Sequence, residues 1–222
     1  MGRFLFLLII VAAGLGVLLY LGTWQVQRLA WKEGVLAEIE ARIAADPVAV
    51  PDQIDRERDR YLPVTVTGAM LQGEIHVLVS VKRVGPGYRI LAPFDDGTRV
   101  IMIDRGFVPL DDKNTPRAIG PMTITGNLHW PNEVDEYTPE PDVEGEIWFA
   151  REVDMASVVL GTDPILLIAK SKTDPNVTPL PVDTSGIPND HLQYAITWFG
   201  LALVWAAMSV FFLWRTRART ES

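Results

Sequence analysis

Apolar residues along this chain gather at its two ends. Phe4 to Leu21 is an 18-residue run without a charge, about the shortest length that crosses a bilayer as a helix. Leu192 to Trp214 is a second uncharged run, of 23 residues. Between them the texture is different. Trp24 to Ala45 has a helical pattern that continues the first run and stops before Asp46-Pro47, as helices do ahead of proline. After a charged loop, Asp52 to Arg60, short alternating and β-branched segments follow. They predict strands over Leu62–Gly68, Glu74–Val81, Tyr88–Phe94, Arg99–Ile103, Met122–Leu128, Ile147–Ala150 and Pro164–Ala169. Asp95-Asp96-Gly97-Thr98 is a hairpin signal between two of them. A short helix is expected around Asp154–Val159.

About seven short strands with tight turns point to a closed antiparallel sheet. The expected fold is thus a membrane protein: two transmembrane helices, N- and C-terminal, flanking a mainly antiparallel β, barrel-like extracytoplasmic domain with small helices. The expected divisions are a first span over 4–22, a helical extension over 23–45, a β-rich domain over 46–190, a second span over 191–214 and a tail over 215–222. Two stretches read as loops. Pro131 to Glu146 holds seven acids and no base, and Thr173 to Asp190 is a tether with four prolines. An acid-rich run is most often a solvated face, and here it also offers a partner a surface.

Charge sets the orientation. Arg215, Arg217 and Arg219 follow the second run directly, and Tyr194, Trp198 and Trp214 sit where interfacial anchors sit. The positive-inside rule holds that end in the cytoplasm, and with two spans the N-terminus, bearing Arg3, joins it. Residues 24 to 190 carry 16 basic against 27 acidic residues, a net of −11. That balance excludes a nucleic-acid partner, since phosphate binding needs a concentrated basic face. A cleaved signal peptide is the competing reading of the first run, but the run is long and lacks an A-x-A site. No Arg-rich transit segment precedes it. The expected location is a bacterial inner membrane, multi-pass, with both termini cytoplasmic and the middle domain periplasmic.

Candidate chemistry is sparse. Cysteine is absent, which removes thiolate metal sites and disulfides. No nucleophile elbow, phosphate-binding glycine loop or zinc-protease helix motif is present, so no enzyme is expected. Of the three histidines, His76 and His129 lie in or beside strands and read as core or edge residues. His191 opens the second span after Asn189-Asp190, either of which can cap a helix. On a helix His191, Ala195, Trp198, Ala202 and Trp205 share one stripe. One imidazole, two small residues and two aromatic walls suit a flat apolar macrocycle, and imidazole is an ordinary axial ligand of haem iron. Gln25, Arg28 and Lys32 at the outer end of the first span are placed to meet propionates. Trp24, Arg28 and Trp31 share a neighbouring face, and an interfacial collar explains that face equally well.

Three segments resemble the Surfeit locus family of cytochrome oxidase assembly proteins. They are Leu21-Gly-Thr-Trp-Gln-Val-Gln-Arg-Leu-Ala-Trp-Lys32, Arg105-Gly-Phe-Val-Pro109 and Asn189-Asp-His-Leu-Gln-Tyr-Ala-Ile-Thr-Trp-Phe-Gly-Leu201. Their order between two terminal spans matches across essentially the whole chain. Asp190 departs from the Asn or Glu common there in relatives. The resemblance implies an assembly factor for a haem-copper terminal oxidase, not an enzyme. It implies haem a as a transient cargo and His191 as the ligand to its iron. The β domain is then expected to recognise the oxidase catalytic subunit or haem a synthase, and the two spans the lipid bilayer. A membrane-anchored scaffold that never touches haem fits the same residues and is the alternative.

Overall fold

A computed structural model describes residues 2–218. Of the residues that the orientation argument used, Arg219 lies outside the described residues, as does the end of the expected 215–222 tail. The elements run α1 (Gly2–Ile43), β1 (Val48–Ala49), β2 (Pro63–Met70), β3 (Ile75–Val81), β4 (Gly85–Asp95), β5 (Val100–Pro109), a 3₁₀ turn (Leu110–Asp112), β6 (Gly120–Leu128), β7 (Ile147–Trp148), α2 (Val153–Leu160), β8 (Leu166–Ala169) and α3 (His191–Ala218). The chain divides into two compact units. One comprises the N-terminal residues through Glu38 with the chain from Thr184 onward, and the other is Ile39–Asp183.

In the second unit eight strands form one sheet in the order β1-β2-β6-β8-β5-β4-β3-β7. A further pairing of β2 with β4, through Ala69 opposite Asp95 and Met70 opposite Phe94, closes five of these strands into a ring. Closure removes the open edges of those strands. Gly68 lies at that junction, where any side chain would collide with the Asp95 carbonyl. The sheet is mainly antiparallel, but β1 on β2, β7 on β3 and β8 on β5 pair in parallel.

Alternation along the strands explains the core. Val64, Val66, Met70, Ile75, Val77, Phe94, Ile101, Ile103, Ile124 and Leu128 are buried together in one core, with Trp148 and Leu167. At the β4–β5 turn, Asp96 Oδ1 accepts from the Thr98 and Arg99 amides at 2.8 and 2.9 Å, and Asp95 Oδ1 from that of Gly97. The side chains thus take over turn bonds that the backbone cannot make. α2 ends at Gly161, which adopts φ +65°, the left-handed closure that glycine permits. Asn127, buried in β6, donates to the Ile43 and Tyr61 carbonyls at 3.1 and 2.9 Å. It thereby satisfies an open carbonyl at the C-terminal end of α1.

β5 outruns its predicted end at Ile103 by six residues. A bulge accounts for this: Leu91 faces Asp104 and Ile90 faces Gly106, so Arg105 is the extra residue. Gly106 takes φ +117° and lies against the Thr178 carbonyl. Phe107 and Thr178 then exchange backbone hydrogen bonds of 2.7 and 3.0 Å, which fix the start of the proline-rich tether to the sheet.

Candidate functional site

In the first unit α1 and α3 are both long and apolar enough to cross a bilayer. Their large side chains face outward: Leu203, Met208, Val210 and Phe211 are all more than half exposed, as are Ile9 and Tyr20. The seam between the helices is built from small residues. Ala195 and Ala202 are buried. A Cβ on Gly22 would lie 2.8 Å from the Phe199 ring, and one on Gly14 2.8 Å from Trp205. Trp205 Nε1 also donates to the Val11 carbonyl at 3.1 Å. These contacts run antiparallel along the pair. Glycine lets the backbone of α1 come close enough for the aromatic rings of α3 to seat on it.

Near the His191 end of α3 this seam carries a polar side-chain contact. His191 Nδ1 lies 2.8 Å from Gln25 Oε1, and Gln25 is only 8% exposed. An amide oxygen only accepts, so this contact is a hydrogen bond when the ring carries its proton on Nδ1. Nε2 makes no hydrogen bond among the described residues, and His191 remains half-buried. Such a nitrogen is chemically competent as an axial metal ligand.

The other residues expected at the site are distributed as follows. Arg28 is exposed and its guanidinium lies 3.9 Å above the Trp31 ring, a cation–π contact. Lys32 and Trp198 are half-buried. Helical rise puts Trp198 about 10 Å and Trp205 about 21 Å along α3 from His191. Of the six expected residues, then, only His191 and Gln25 are in direct hydrogen-bonded contact. Among the described residues no group of three or more His, Cys, Asp or Glu side chains is placed to hold a metal ion.

The strand domain holds polar groups that the sequence did not single out. Asp104 is fully buried and accepts from Arg89 and, at 3.1 Å, from Arg151, which also pairs with Glu133. Burial alone would raise the Glu133 carboxyl, but the Arg151 hydrogen bonds and charge hold it below its usual range. Arg105, in the bulge, is 1% exposed and donates to Thr173 Oγ1 at 3.2 Å and the Ala118 carbonyl at 2.9 Å. Burial lowers its pKa. The Arg105-Gly-Phe-Val-Pro109 segment therefore ties loops to the sheet. The signal for this was present in the sequence: a charged Asp104-Arg105 pair inside an apolar strand requires partners. His129 stacks on Tyr61 with ring centroids 5.0 Å apart. Burial, followed by the nearby Arg151 and Arg60, depresses it to about 4. His76 is buried edge-on to Tyr88, with Glu74 and Glu146 carboxylates at 3.5 and 3.8 Å.

The structure thus describes a small closed-barrel domain in a chain that also carries a pair of bilayer-length helices. The model of the SURF1 family matches residues 12–203. Surfeit locus protein 1 of the rat is 31% identical, over 88% of this chain and 71% of its own length. The human protein of that name is 29% identical, over 82% of this chain and 69% of its own. A SURF1-like protein of Rickettsia bellii is 31% identical, over 84% of this chain and 82% of its own. The chain belongs to the SURF1 family.

Proposed function

We propose that this chain is an assembly factor for a haem-copper terminal oxidase, anchored in a bacterial inner membrane with its barrel domain in the periplasm. In this reading His191 holds haem a by a single axial bond and surrenders it to the oxidase catalytic subunit. Family membership supports the oxidase role. The observation that carries the haem role is the half-buried imidazole whose Nδ1 is engaged by Gln25 while Nε2 has no hydrogen bond among the described residues. A carrier needs a releasable bond, and one protein ligand is easier to release than two. Arg28 and Lys32, at the same end of α1, supply cations for propionates. Trp198 borders the macrocycle, whereas Trp205, about 21 Å along α3 from His191, seats on Gly14 and donates to the Val11 carbonyl. The barrel domain engages the oxidase catalytic subunit, and haem a synthase is the source from which the cargo is taken.

A second reading has its own support. Trp205 and Phe199 seat on Gly14 and Gly22, and Ala195 and Ala202 are buried in the seam. That closure favours a scaffold that steadies an oxidase intermediate without haem. Absorption spectra separate the two. The wild-type chain purified from cells that make haem a is expected to carry a haem spectrum, and His191→Ala is expected to lose it. A colourless wild type, or equal pigment in both, would leave the scaffold reading in place.

A further inference from the structure

We propose that Gln25 is a positioning residue that fixes the tautomer of His191, so that the lone pair of Nε2 is always the one offered to a metal-bearing ligand. The inference deepens the haem reading and rests on it for its purpose, but the tautomer itself is a property of the protein alone. A neutral imidazole carries one N–H and one bare nitrogen. The 2.8 Å contact sets Nδ1 against an oxygen that cannot donate, so the proton resides on Nδ1. Gln25 is held for this task. It is buried in the seam, one turn beyond Gly22, whose missing side chain lets the Phe199 ring of α3 approach. A buried amide oxygen without a donor is costly, so the two helices gain by keeping the pair together. Histidines that bind metals regularly donate their second N–H to an oxygen acceptor, which orients the ring and raises the basicity of the ligating nitrogen. Gln25 supplies that acceptor from the other helix. This role differs from the propionate contact that its helical face shared with Arg28 and Lys32 would give it.

The test uses the full chain, labelled with ¹⁵N-histidine, in lipid nanodiscs at mildly alkaline pH. The chain has three histidines, and His191→Ala assigns the pair of ring signals that matters. Wild type is expected to show Nδ1 protonated and Nε2 bare. Gln25→Glu, which still accepts, keeps that pattern with a stronger hydrogen bond. Gln25→Leu, which cannot accept, moves the proton toward Nε2. In titrations with haem a followed by absorption, Gln25→Leu loses about 10- to 100-fold in affinity, and Gln25→Glu does not. A wild-type proton on Nε2, or a tautomer unchanged by Gln25→Leu, overturns the inference. The wild-type and Gln25→Glu spectra decide the point even if Gln25→Leu fails to insert. A wild type with the expected tautomer that binds no haem a supports the Gln25 assignment and overturns the haem reading instead.

Discussion

The two units place apolar residues in opposite ways. In the barrel domain Ile, Val and Phe fill the interior and are almost wholly shielded, as in other close-packed protein interiors. In the helix pair the large apolar residues face out and the inside of the seam is Gly and Ala. Lipid is as apolar as leucine, so burying leucine between two spans gains little, and close backbone approach and polar contacts hold the pair instead. Polar groups follow suit. The barrel buries whole charges, Asp104 between Arg89 and Arg151, inside a sheet whose backbone is already hydrogen-bonded. The helix pair holds isolated hydrogen bonds among its described residues, His191 Nδ1 against Gln25 Oε1 and Trp205 Nε1 to the Val11 carbonyl.

The sharpest way to break this contrast is to remove the buried charge. Asp104→Asn removes the carboxylate that Arg89 and Arg151 share, leaving Arg89 without its acid partner while Arg151 keeps Glu133, and breaking a buried pair costs about 3–5 kcal/mol. Urea unfolding followed by near-ultraviolet circular dichroism is expected to show a shift of that size, and a change below about 1 kcal/mol would refute the network's importance.

Acid tests the barrel next. His129 titrates near 4 when folded and near 6.5 when unfolded. The unfolded chain therefore takes up a proton first as pH falls. The stabilising contribution is full above pH 6.5 and is lost between about 6.5 and 4, by at most about 3 kcal/mol. Thermal unfolding across that range is expected to lose stability in wild type and to lose less in His129→Phe.

In the helix pair the corresponding perturbation is steric. Gly14→Leu places atoms where Trp205 lies, and overpacking of this kind costs about 1–3 kcal/mol. Trp205 fluorescence should become more sensitive to brominated lipid, and unaltered quenching would mean that the ring does not depend on that seat. The smallest effect belongs to the exposed Arg56–Asp154 pair. Arg56→Ala should cost under about 1 kcal/mol in the same urea assay, and a larger loss would show that surface pairing matters here as much as the buried kind.

Several of these features were legible in the chain itself. A bilayer-length uncharged run is a one-dimensional signal, so α1 and α3 could be read from composition alone, although α3 continues to Ala218, beyond the expected boundary at Trp214. Alternation located β2 to β4 and β6 to β8 to within a few residues but not the two-residue β1, and Gly97 marked its hairpin. β5 ended too early because Asp104-Arg105 looks like the polar end of a strand. Only its neighbours, Arg89 and Arg151, distant in sequence, make those charges compatible with burial. The site divides along the same line. His191 was identifiable as an imidazole opening a span, and Gln25 shared a helical face with Arg28 and Lys32. That Gln25 instead meets His191 follows from the antiparallel packing of two helices separated by more than 140 residues, and periodicity within one helix carries no record of a partner on another.

The sequence by itself determined where the chain is apolar enough to cross a membrane, which segments alternate as strands and which family it belongs to, because each is written in runs and local spacings. The tertiary structure alone decided the closure of β2 on β4, the parallel pairing of β8 with β5, the neutralisation of Asp104 and the acceptor for Nδ1 of His191. Those depend on contacts between distant residues, whose free energy exists only once the backbone has brought them within hydrogen-bonding distance.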